Sequence, residues 1–148
     1  MALVRPIAYG DVAAAIELLR GGSLVPEFED ASRVDDYWSA VEETRRQRGD
    51  VVVAEVEGEV VGVCQIVIFQ HLQHAGGWCC EIESVHVRGD MRSRGIGAQL
   101  LTAAEELAKE RGCYRVQLTS RNVREEAHRF YLANGYDQTS QGFKKFFS

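Results

Sequence analysis

The sequence has little proline, few cysteines, no long hydrophobic run and no excess of positive charge. Two prolines and four cysteines occur among the 148 residues, and no two cysteines have the spacing of a zinc site or a C-x-x-C redox motif. The adjacent Cys79 and Cys80 would point to opposite faces of an alternating strand, so they do not form a chelating pair. In the absence of a signal-peptide pattern or a membrane-length apolar run, we expect reduced thiols in a cytoplasmic protein that does not bind membranes.

The charge balance argues against a nucleic-acid partner. The net charge is −5, whereas binding to phosphate backbones needs a basic face. Two nucleotide-binding motifs are also missing: there is no G-x-x-x-x-G-K-[ST] loop, and "GIGAQL" ends in Leu100 where a dinucleotide fold has its third glycine. The acidic stretch "LVPEFEDASRVDD" is either a solvated loop or a rim that attracts a cationic substrate.

The length suits one domain covering residues 1–148, and a domain of this size buries roughly 68–70% of the surface of its unfolded chain. The patterning predicts a strand, two helices, three strands, a helix, a strand, a helix, and one or two final strands. β-branched runs on both sides of "EVEGEV" predict a hairpin that turns near Glu57-Gly58-Glu59. The order strand–helix–strand over residues 78–120 predicts a parallel strand pair. The terminal "FKKFF" could be a final strand.

Several residues are candidates for helix ends. Asp11 is expected to be the N-cap of the first helix, and the second helix is expected to end near Gly49. Gly112 is a natural stop for the helix that starts in "GIGAQL". Asn122, with Glu125 three residues later, fits a capping box at the start of the last helix.

The stretch "VHVRGDMRSRGIGAQLL" places arginines and glycines where a strand gives way to a helix. The first N–H groups of a helix have no partner inside the helix, and the helix dipole makes that end positive. Gly95 and Gly97 would let the backbone close on a bulky anion, while Arg92 and Arg94 would add charge around it. The pattern therefore indicates a phosphate cradle, and the alternative is a solvated basic turn.

The pattern Arg92-x-x-Gly95-x-Gly97 after the strand "SVHV" resembles the acetyl-CoA signature of the Gcn5-related N-acetyltransferase (GNAT) superfamily. The segment "RVQLTSRNVREEAHRFYLANGY" is similar to that superfamily's second conserved block. The resemblance implies an α/β single-domain fold. Its mixed, mostly antiparallel sheet would have a central parallel strand pair splayed around acetyl-CoA, flanked by about four helices. It also implies direct transfer of the acetyl group of acetyl-CoA to a primary amine of a small molecule.

The resemblance also implies roles for individual residues. The backbone of the strand before the loop would pair with pantetheine, and the loop N–H groups would hold the pyrophosphate. Asn122 would bond the pantetheine arm, and Tyr131 would stand near the sulfur. The implied cofactor-binding residues are Val85, His86, Val87, Arg92, Ser93, Arg94, Gly95, Ile96, Gly97, Ala98, Asn122 and Tyr131.

Acetyl transfer to an amine needs a base and an acid. An alkyl amine with a pKa of about 10.4 is almost fully protonated at pH 7, so a base is useful. Glu81 and Glu83 lie two apart, so a regular strand would send both to one face, whereas a bulge would separate them. Glu83 is favoured as the base because "IES" resembles a recurrent acidic position of the superfamily, and the alternative for either glutamate is to orient a neighbour.

Tyr131 is the candidate acid. Proton transfer from a phenol with a pKa near 10 to a thiolate whose acid has a pKa near 8.5 costs only about 2 kcal/mol. The alternative role of Tyr131 is that of a core aromatic.

The sequence indicates the acetyl acceptor and the partners less specifically than it indicates the cofactor. "FQHLQHAGGWCCEIESVHV", "REEAHRFYLANGY" and "GFKKFF" resemble the aminoalkylphosphonate acetyltransferase branch of the superfamily. His71 and His74 form an H-x-x-H pattern, but we expect surface histidines and no metal site. The alternatives are acetylation of a protein Lys or N-terminus, and a catalytically silent acyl-CoA-binding sensor. A homodimer is possible on this evidence.

Overall fold

The computed structural model describes residues 2–147, which form two compact units. The first unit ends at Gln117 and contains a β-sheet with the helices that cover it, and the second begins at Leu118 and contains one helix. None of the described helices is long and apolar enough to cross a bilayer.

The order of elements predicted from the sequence is confirmed as far as the last helix. The strands are β1 (Leu3–Pro6), β2 (Asp50–Val56), β3 (Glu59–Gln70), β4 (Trp78–Val87) and β5 (Cys113–Gln117). The helices are α1 (Val12–Gly22), α2 (Val34–Arg46), the single turn α3 (Gln73–Gly76), α4 (Ile96–Glu110) and α5 (Glu125–Ala133). Short 3-10 turns lie at Tyr9–Asp11, Pro26–Phe28 and Gly89–Met91.

The sheet is mixed, with the strands in the order β1-β2-β3-β4-β5. The first four strands pair antiparallel, and β4 and β5 pair parallel, as the sequence predicted. The predicted hairpin between β2 and β3 is also confirmed. Its turn residues Glu57 and Gly58 both have positive φ, 50° and 82°, which matches the right-handed twist of the strands that they join.

The expected strand at "FKKFF" is not formed. Residues 136–147 contain no helix or strand, so the parallel pair lies at one edge of the described sheet. Phe143, Phe146 and Phe147 are 92%, 84% and 90% exposed. Aromatic content predicts a strand from propensity alone, but a strand also needs a neighbour to bond its backbone groups.

Helices α1 and α2 pack on one face of the sheet, and α4 packs on the other. Apolar residues recur at helical spacing along these helices, so each has one stripe to bury. Because both faces are covered, the adjacent Cys79 and Cys80 are both fully buried, although alternation sends their side chains to opposite faces. The core of the α1–α2 face consists of Ile7, Val12, Ala15, Ile16, Leu18, Val41, Val51, Val53 and Val63.

Asp11 is the N-cap of α1, as expected, but its side chain does not cap the helix. The carboxylate instead accepts bonds from the Arg5 guanidinium at 2.7 and 3.1 Å and from the Ala8 N–H at 2.8 Å. The hydrogen bond from Arg5 lowers the pKa of Asp11. Arg5 also bonds Glu55 of β2 at 2.8 Å, so the cluster connects the start of α1 to the sheet.

Helix α2 ends at Arg46, shortly before the expected stop at Gly49. The left-handed residue after the helix is Arg48, with φ 76°. Gly49 is small for another reason: a Cβ at this position would overlap the carbonyl oxygen of Ile66 in β3. The expected stop of α4 is confirmed, since Gly112 follows the helix with φ 73°.

Candidate active site

Strand β4 has a bulge at Ser84. Glu83 pairs with Gln65 of β3, whereas the next paired residues are His86 and Val63, so β4 has one more residue than β3 over this interval. Ser84 has a left-handed backbone with φ 55°. A bulge bends its strand and changes the direction of the side chains that follow, and bulges are common beside active sites.

The parallel pairing of β4 with β5 stops before this bulge. The last paired residues are Glu81 and Gln117, while β4 continues to Val87. Beyond Glu81, no strand within residues 2–147 pairs with β4 on its β5 side. The backbone N–H and C=O groups of residues 85–87 that point away from β3 can therefore pair with an extended ligand as if it were another strand. The Val87 carbonyl also accepts a 3.4 Å bond from Arg92 Nε.

Helix α4 follows a loop that contains two left-handed residues. Ser93 has φ 63°, and Gly95, the N-cap of the helix, has φ 80°. The Gln99 N–H donates to the Gly95 carbonyl at 3.1 Å, so the N–H groups of residues 96–98 have no partner in the helix. Successive N–H groups in such a turn form a concave site for anions. The loop thus has the backbone geometry expected of a phosphate cradle.

Gly62 of β3 brings the start of α4 close to the sheet. A Cβ at Gly62 would lie 3.1 Å from Leu100 Cδ1, 3.2 Å from Ala54 Cβ and 3.4 Å from Ile96 Cγ2. Ile96 and Leu100 are buried, so they anchor the first turn of α4. The position of the cradle therefore depends on residue 62 being glycine, which has no side chain.

The arginines near the loop have different surroundings. Arg88 forms ion pairs with Asp90 at 2.6 Å and with Glu59 at 3.1 Å. Arg92 and Arg94 are exposed, and neither forms an ion pair in the part of the chain that the structure describes. Arg92 and Arg94 are thus the arginines suited to contact a phosphate.

Glu81 and Glu83 lie on the same face of β4. The bulge follows Glu83, so the strand is regular between the two glutamates and the separation considered from the sequence does not occur. Their face is the one covered by α1 and α2, because cross-strand partners share a face and Gln65, the partner of Glu83, lines a cavity with residues of both helices. Glu81 is half-buried and accepts a hydrogen bond from Gln117 at 2.9 Å, whereas Glu83 is exposed.

Tyr131 lies in the second unit, on α5. It is half-buried, and its ring centroid is 5.3 Å from that of Phe130 and 6.2 Å from that of Tyr136. The ring therefore packs in an aromatic group, as the alternative role of a core aromatic requires. Packing of the ring does not oppose a chemical role for the hydroxyl.

The predicted capping box at the start of α5 is wrong. The N-cap is Arg124, and Glu125 is the first helical residue rather than the third. The Arg124 N–H donates to the Arg121 carbonyl at 3.0 Å, so residues 121–124 form a turn that delays the helix. Asn122 is exposed in this turn.

The cysteines are free, and two of them are strongly perturbed. Cys64 and Cys80 are fully buried, and burial raises the pKa of each thiol to about 12. Burial also raises the pKa of the half-buried Cys113. A thiol with so high a pKa has almost no thiolate at neutral pH, so Cys64 and Cys80 are poor nucleophiles.

From the raised pKa values of these thiols we expect a loss of stability at alkaline pH. Burial raises the pKa of these thiols in the folded state above the ordinary value of 9.0. Their contribution to the stability of the fold is therefore fully present below pH 9. It is lost as the pH rises toward 12, because the thiols ionise in the unfolded chain first. The loss is expected to reach about 4 kcal/mol for each thiol at the upper end. Denaturant unfolding from pH 8 to 11.5 should show a smaller alkaline slope in Cys64→Ala than in the wild type, and equal slopes would contradict the role of this thiol.

His71 and His74 lie around the ring of Tyr114. His71 Nδ1 is hydrogen-bonded to the Tyr114 hydroxyl, and the ring centroids of His74 and Tyr114 are 4.4 Å apart. Among residues 2–147, no three His, Cys, Asp or Glu side chains are arranged to hold a metal ion. The absence of a metal stays a prediction.

Three features of the site were not predicted from the sequence: the bulge at Ser84, the close approach at Gly62, and a contact between β4 and α1. At the contact between β4 and α1, a Cβ on Gly22 would overlap Nδ1 of His86. The His86 side chain can therefore pack against the end of α1 only because residue 22 is glycine. A lone glycine in a β-branched run, as in "EVVGVCQ", indicates a close approach and could have identified Gly62. We find no sequence signal for the bulge.

Comparison with known proteins places most of the chain in one family. Residues 14–136 match the acetyltransferase (GNAT) family. The aminoalkylphosphonate N-acetyltransferase of Salmonella typhimurium is 43% identical over 88 residues, which are 60% of this chain and 56% of that protein. The chain thus matches little more than half the length of this curated relative.

Solved structures resemble the chain over nearly its whole length. A structure from Bacillus halodurans, described as a transcriptional regulator, has a TM-score of 0.91 and 31% identity, covering 99% of this chain and 100% of that one. Glucosamine-6-phosphate N-acetyltransferase from Arabidopsis thaliana has a TM-score of 0.82 and 22% identity, covering 100% of this chain and 99% of that one. At this identity the second likeness shows the fold alone.

Proposed function

The chain belongs to the GNAT acetyltransferase family, and on this basis we propose that it transfers the acetyl group of acetyl-CoA to the primary amine of a small molecule. The observation that carries the proposal is the open backbone edge of β4, which a loop with two exposed arginines connects to the N-terminus of α4. An extended arm and an anionic group on one ligand fit these two adjacent features.

Acetyl-CoA would supply an activated acetyl thioester. The N–H groups of residues 96–98, with Arg92 and Arg94, are suited to its pyrophosphate, and the edge of residues 85–87 is suited to its pantetheine arm. A contact from Asn122 to that arm, and the position of Tyr131 near the sulfur, are assigned by likeness to the family.

The reaction removes two protons from the acceptor ammonium and delivers one to the leaving thiolate. Glu83, directly or through a water, takes a proton from the acceptor ammonium, and the neutral nitrogen then attacks the thioester carbonyl carbon. The C–S bond breaks, and Tyr131 gives its proton to the departing thiolate. The second proton of the attacking nitrogen then passes to the tyrosinate, so the one proton released overall is the one that Glu83 took. The buried Cys64 and Cys80 take no part, since with pKa values raised to about 12 they carry almost no thiolate.

Glu83 can act as the base only with help from its surroundings. Full proton transfer from an alkylammonium to a carboxylate in water is about 8 kcal/mol uphill. An apolar surrounding for the amine disfavours its charged form and so lowers its pKa. The acceptor site must therefore remove the amine from water.

The substitution Glu83→Gln is expected to lower kcat/KM by about 10²-fold below pH 8. The loss should shrink above pH 10, where the amine is already neutral and no base is needed. The pH–rate profile is the measurement, and Glu81→Gln is the matched control on the same face. An equal loss at every pH would assign Glu83 a structural role, and a larger pH-dependent loss in Glu81→Gln would move the role to Glu81.

An acceptor panel tests the proposed function. Release of the CoA thiol is measured with small primary amines, with 2-aminoethylphosphonate, which the Salmonella relative suggests, and with peptides that offer a Lys or an N-terminus. Turnover with small amines and not with peptides supports the proposal. Turnover with peptides alone would make the chain a protein acetyltransferase.

A catalytically silent acyl-CoA sensor is the second candidate. It is favoured by the likeness to the Bacillus halodurans protein that is described as a transcriptional regulator. Such a sensor needs the cradle but has no use for the hydroxyl of Tyr131 as an acid. Acetyl-CoA binding without turnover on any amine of the panel would select the sensor.

A further inference from the structure

An apolar cavity lies between the sheet and helices α1 and α2. Its volume is about 100 Å³, and most of its lining consists of aliphatic side chains, among them Val12, Ala15, Val41 and Val63. Ala40 of α2 also lines the cavity and is exposed, so the cavity reaches the surface along that helix. A buried surface of this composition favours a hydrocarbon group.

The polar side chains of the lining, Tyr37, Gln65 and Ser84, are all uncharged, so none offers a cation to an anion. Gln65 donates from Nε2 to Thr44 Oγ1 at 3.1 Å, and the Tyr37 hydroxyl is bonded to the loop before α2. No Lys or Arg is among the described lining residues. A phosphonate in this cavity would lose its hydration without gaining a positive partner.

The cavity adjoins the proposed base. Gln65 is the cross-strand partner of Glu83, and Ser84, the next residue of β4, itself lines the cavity. The lining thus runs along the face of β4 on which Glu83 lies. Glu83 itself is exposed and does not line the cavity, so an amine that reaches both would have its nitrogen at the surface and its substituent inside.

An acidic segment is held beside the cavity by Tyr37. The Tyr37 hydroxyl donates to Glu29 at 2.9 Å and accepts from the Asp30 N–H at 3.0 Å, while the Tyr37 side chain lines the cavity. Arg20 and Arg33 lie near Asp30 but are themselves paired with Glu17 and Asp36. The carboxylates of Glu27, Glu29 and Asp30 therefore give this segment a negative potential. Such a potential attracts an ammonium group and repels a phosphonate.

From these observations we infer that the acceptor is an alkylamine, a primary amine whose short branched hydrocarbon group occupies this cavity. The inference rests on the proposed acetyltransferase function and differs from the aminoalkylphosphonate named for the Salmonella relative. Apolar cavities of about 150 Å³ hold benzene. The smaller volume here, about 100 Å³, suits an isobutyl group better than an aromatic ring.

The first test is kcat/KM along a series of amines. It should rise about fourfold for each methylene that the cavity buries, and reach about 50-fold for isobutylamine over methylamine. The value for 2-aminoethylphosphonate should lie below that for isobutylamine. A flat series, or a preference for the phosphonate, overturns the inference.

The second test fills the cavity. Ala15→Leu should lower kcat/KM for isobutylamine by about tenfold or more and leave methylamine within about twofold. The matched control is Ala13→Leu, the same change at an exposed position of α1 outside the lining. If Ala15→Leu fails to fold, Val41→Ala enlarges the cavity instead and should move the preference to isoamylamine. An unchanged preference in the folded variant overturns the inference.

Equilibrium binding separates this inference from the proposed function. Isobutylamine binding to the wild type and to Ala15→Leu, each with CoA present, is measured by NMR titration. If isobutylamine binds the wild type but not Ala15→Leu, and no amine is acetylated, the cavity is an alkylamine site and the acetyltransferase proposal is overturned. Acetylation of amines with no effect of Ala15→Leu on binding or rate retains the enzyme and overturns the alkylamine assignment.

Discussion

Replacing Tyr131 by phenylalanine is expected to lower kcat by about 10²–10⁴-fold with little change in acetyl-CoA affinity. The substitution removes one hydroxyl and keeps the ring that packs against Phe130 and Tyr136. If Tyr131 protonates the leaving thiolate, the lost interaction belongs mainly to the transition state, so turnover falls and ground-state binding does not. Turnover and the Kd of acetyl-CoA are measured on the same preparation.

The matched control for this change is Tyr136→Phe. It removes the same atom from a ring that contacts Tyr131, so it shows what the loss of a hydroxyl in this aromatic group does to folding. Both variants should melt within a few degrees of the wild type. Wild-type turnover in Tyr131→Phe would remove Tyr131 from the mechanism and leave it as a packing residue.

The substitution Gly95→Val is expected to raise the Kd of acetyl-CoA by about 100-fold. Gly95 has φ 80°, a conformation that costs a residue with a side chain about 1–2 kcal/mol and a β-branched one more. The loop is therefore expected to change its path, which displaces the N–H groups of residues 96–98. Each charge-assisted hydrogen bond lost contributes about 1.5–3 kcal/mol, so one or two lost bonds suffice for this effect.

The effect on binding must be separated from strain in the backbone. Gly112, at the other end of α4, has φ 73°, and a Cβ added there would meet no atom within 4 Å beyond its chain neighbours, as at Gly95. The substitution Gly112→Val should thus impose similar strain without touching the cradle. Calorimetric titration with acetyl-CoA is expected to distinguish the two variants at equal melting temperature. Equal affinities would place the phosphate site elsewhere on the chain.

Local patterns in the sequence were sufficient for the order of elements up to the last helix, and the proposal of a cradle rests on the same kind of pattern. The alternation around "EVEGEV" and the helical spacing after Gly95 depend only on neighbouring residues, and both predictions were confirmed. A helix N-terminus exposes its N–H groups wherever it occurs, so the site for an anion could be predicted without knowing the fold. The resemblance to the family had the same basis, since its signature is a strand, a turn and a helix start in sequence.

Patterns failed where two local preferences competed. Asn122 and Glu125 fit a capping box, but a turn occupies Arg121 to Arg124 and the helix begins only at Glu125. The phenylalanines of "FKKFF" favour a strand, but residues 136–147 form none. Capping and strand propensity are weak free energies, so partners that the pattern does not include decide the outcome.

The tertiary structure decided between the two arrangements of Glu81 and Glu83 that the sequence left open, and it alone showed the cavity beside them. The positions of Glu81 and Glu83 on one face depend on where β4 bulges against β3, and the bulge at Ser84 comes from the pairing of two strands. The cavity beside them is enclosed by α1, α2 and the sheet, so no single segment indicates its size or its apolar lining. An anion site at a helix N-terminus could be predicted from the sequence, because it depends on the direction of the backbone N–H groups, which is a local property. The proposed acceptor cavity could not, because it depends on the packing of segments that are distant in the chain.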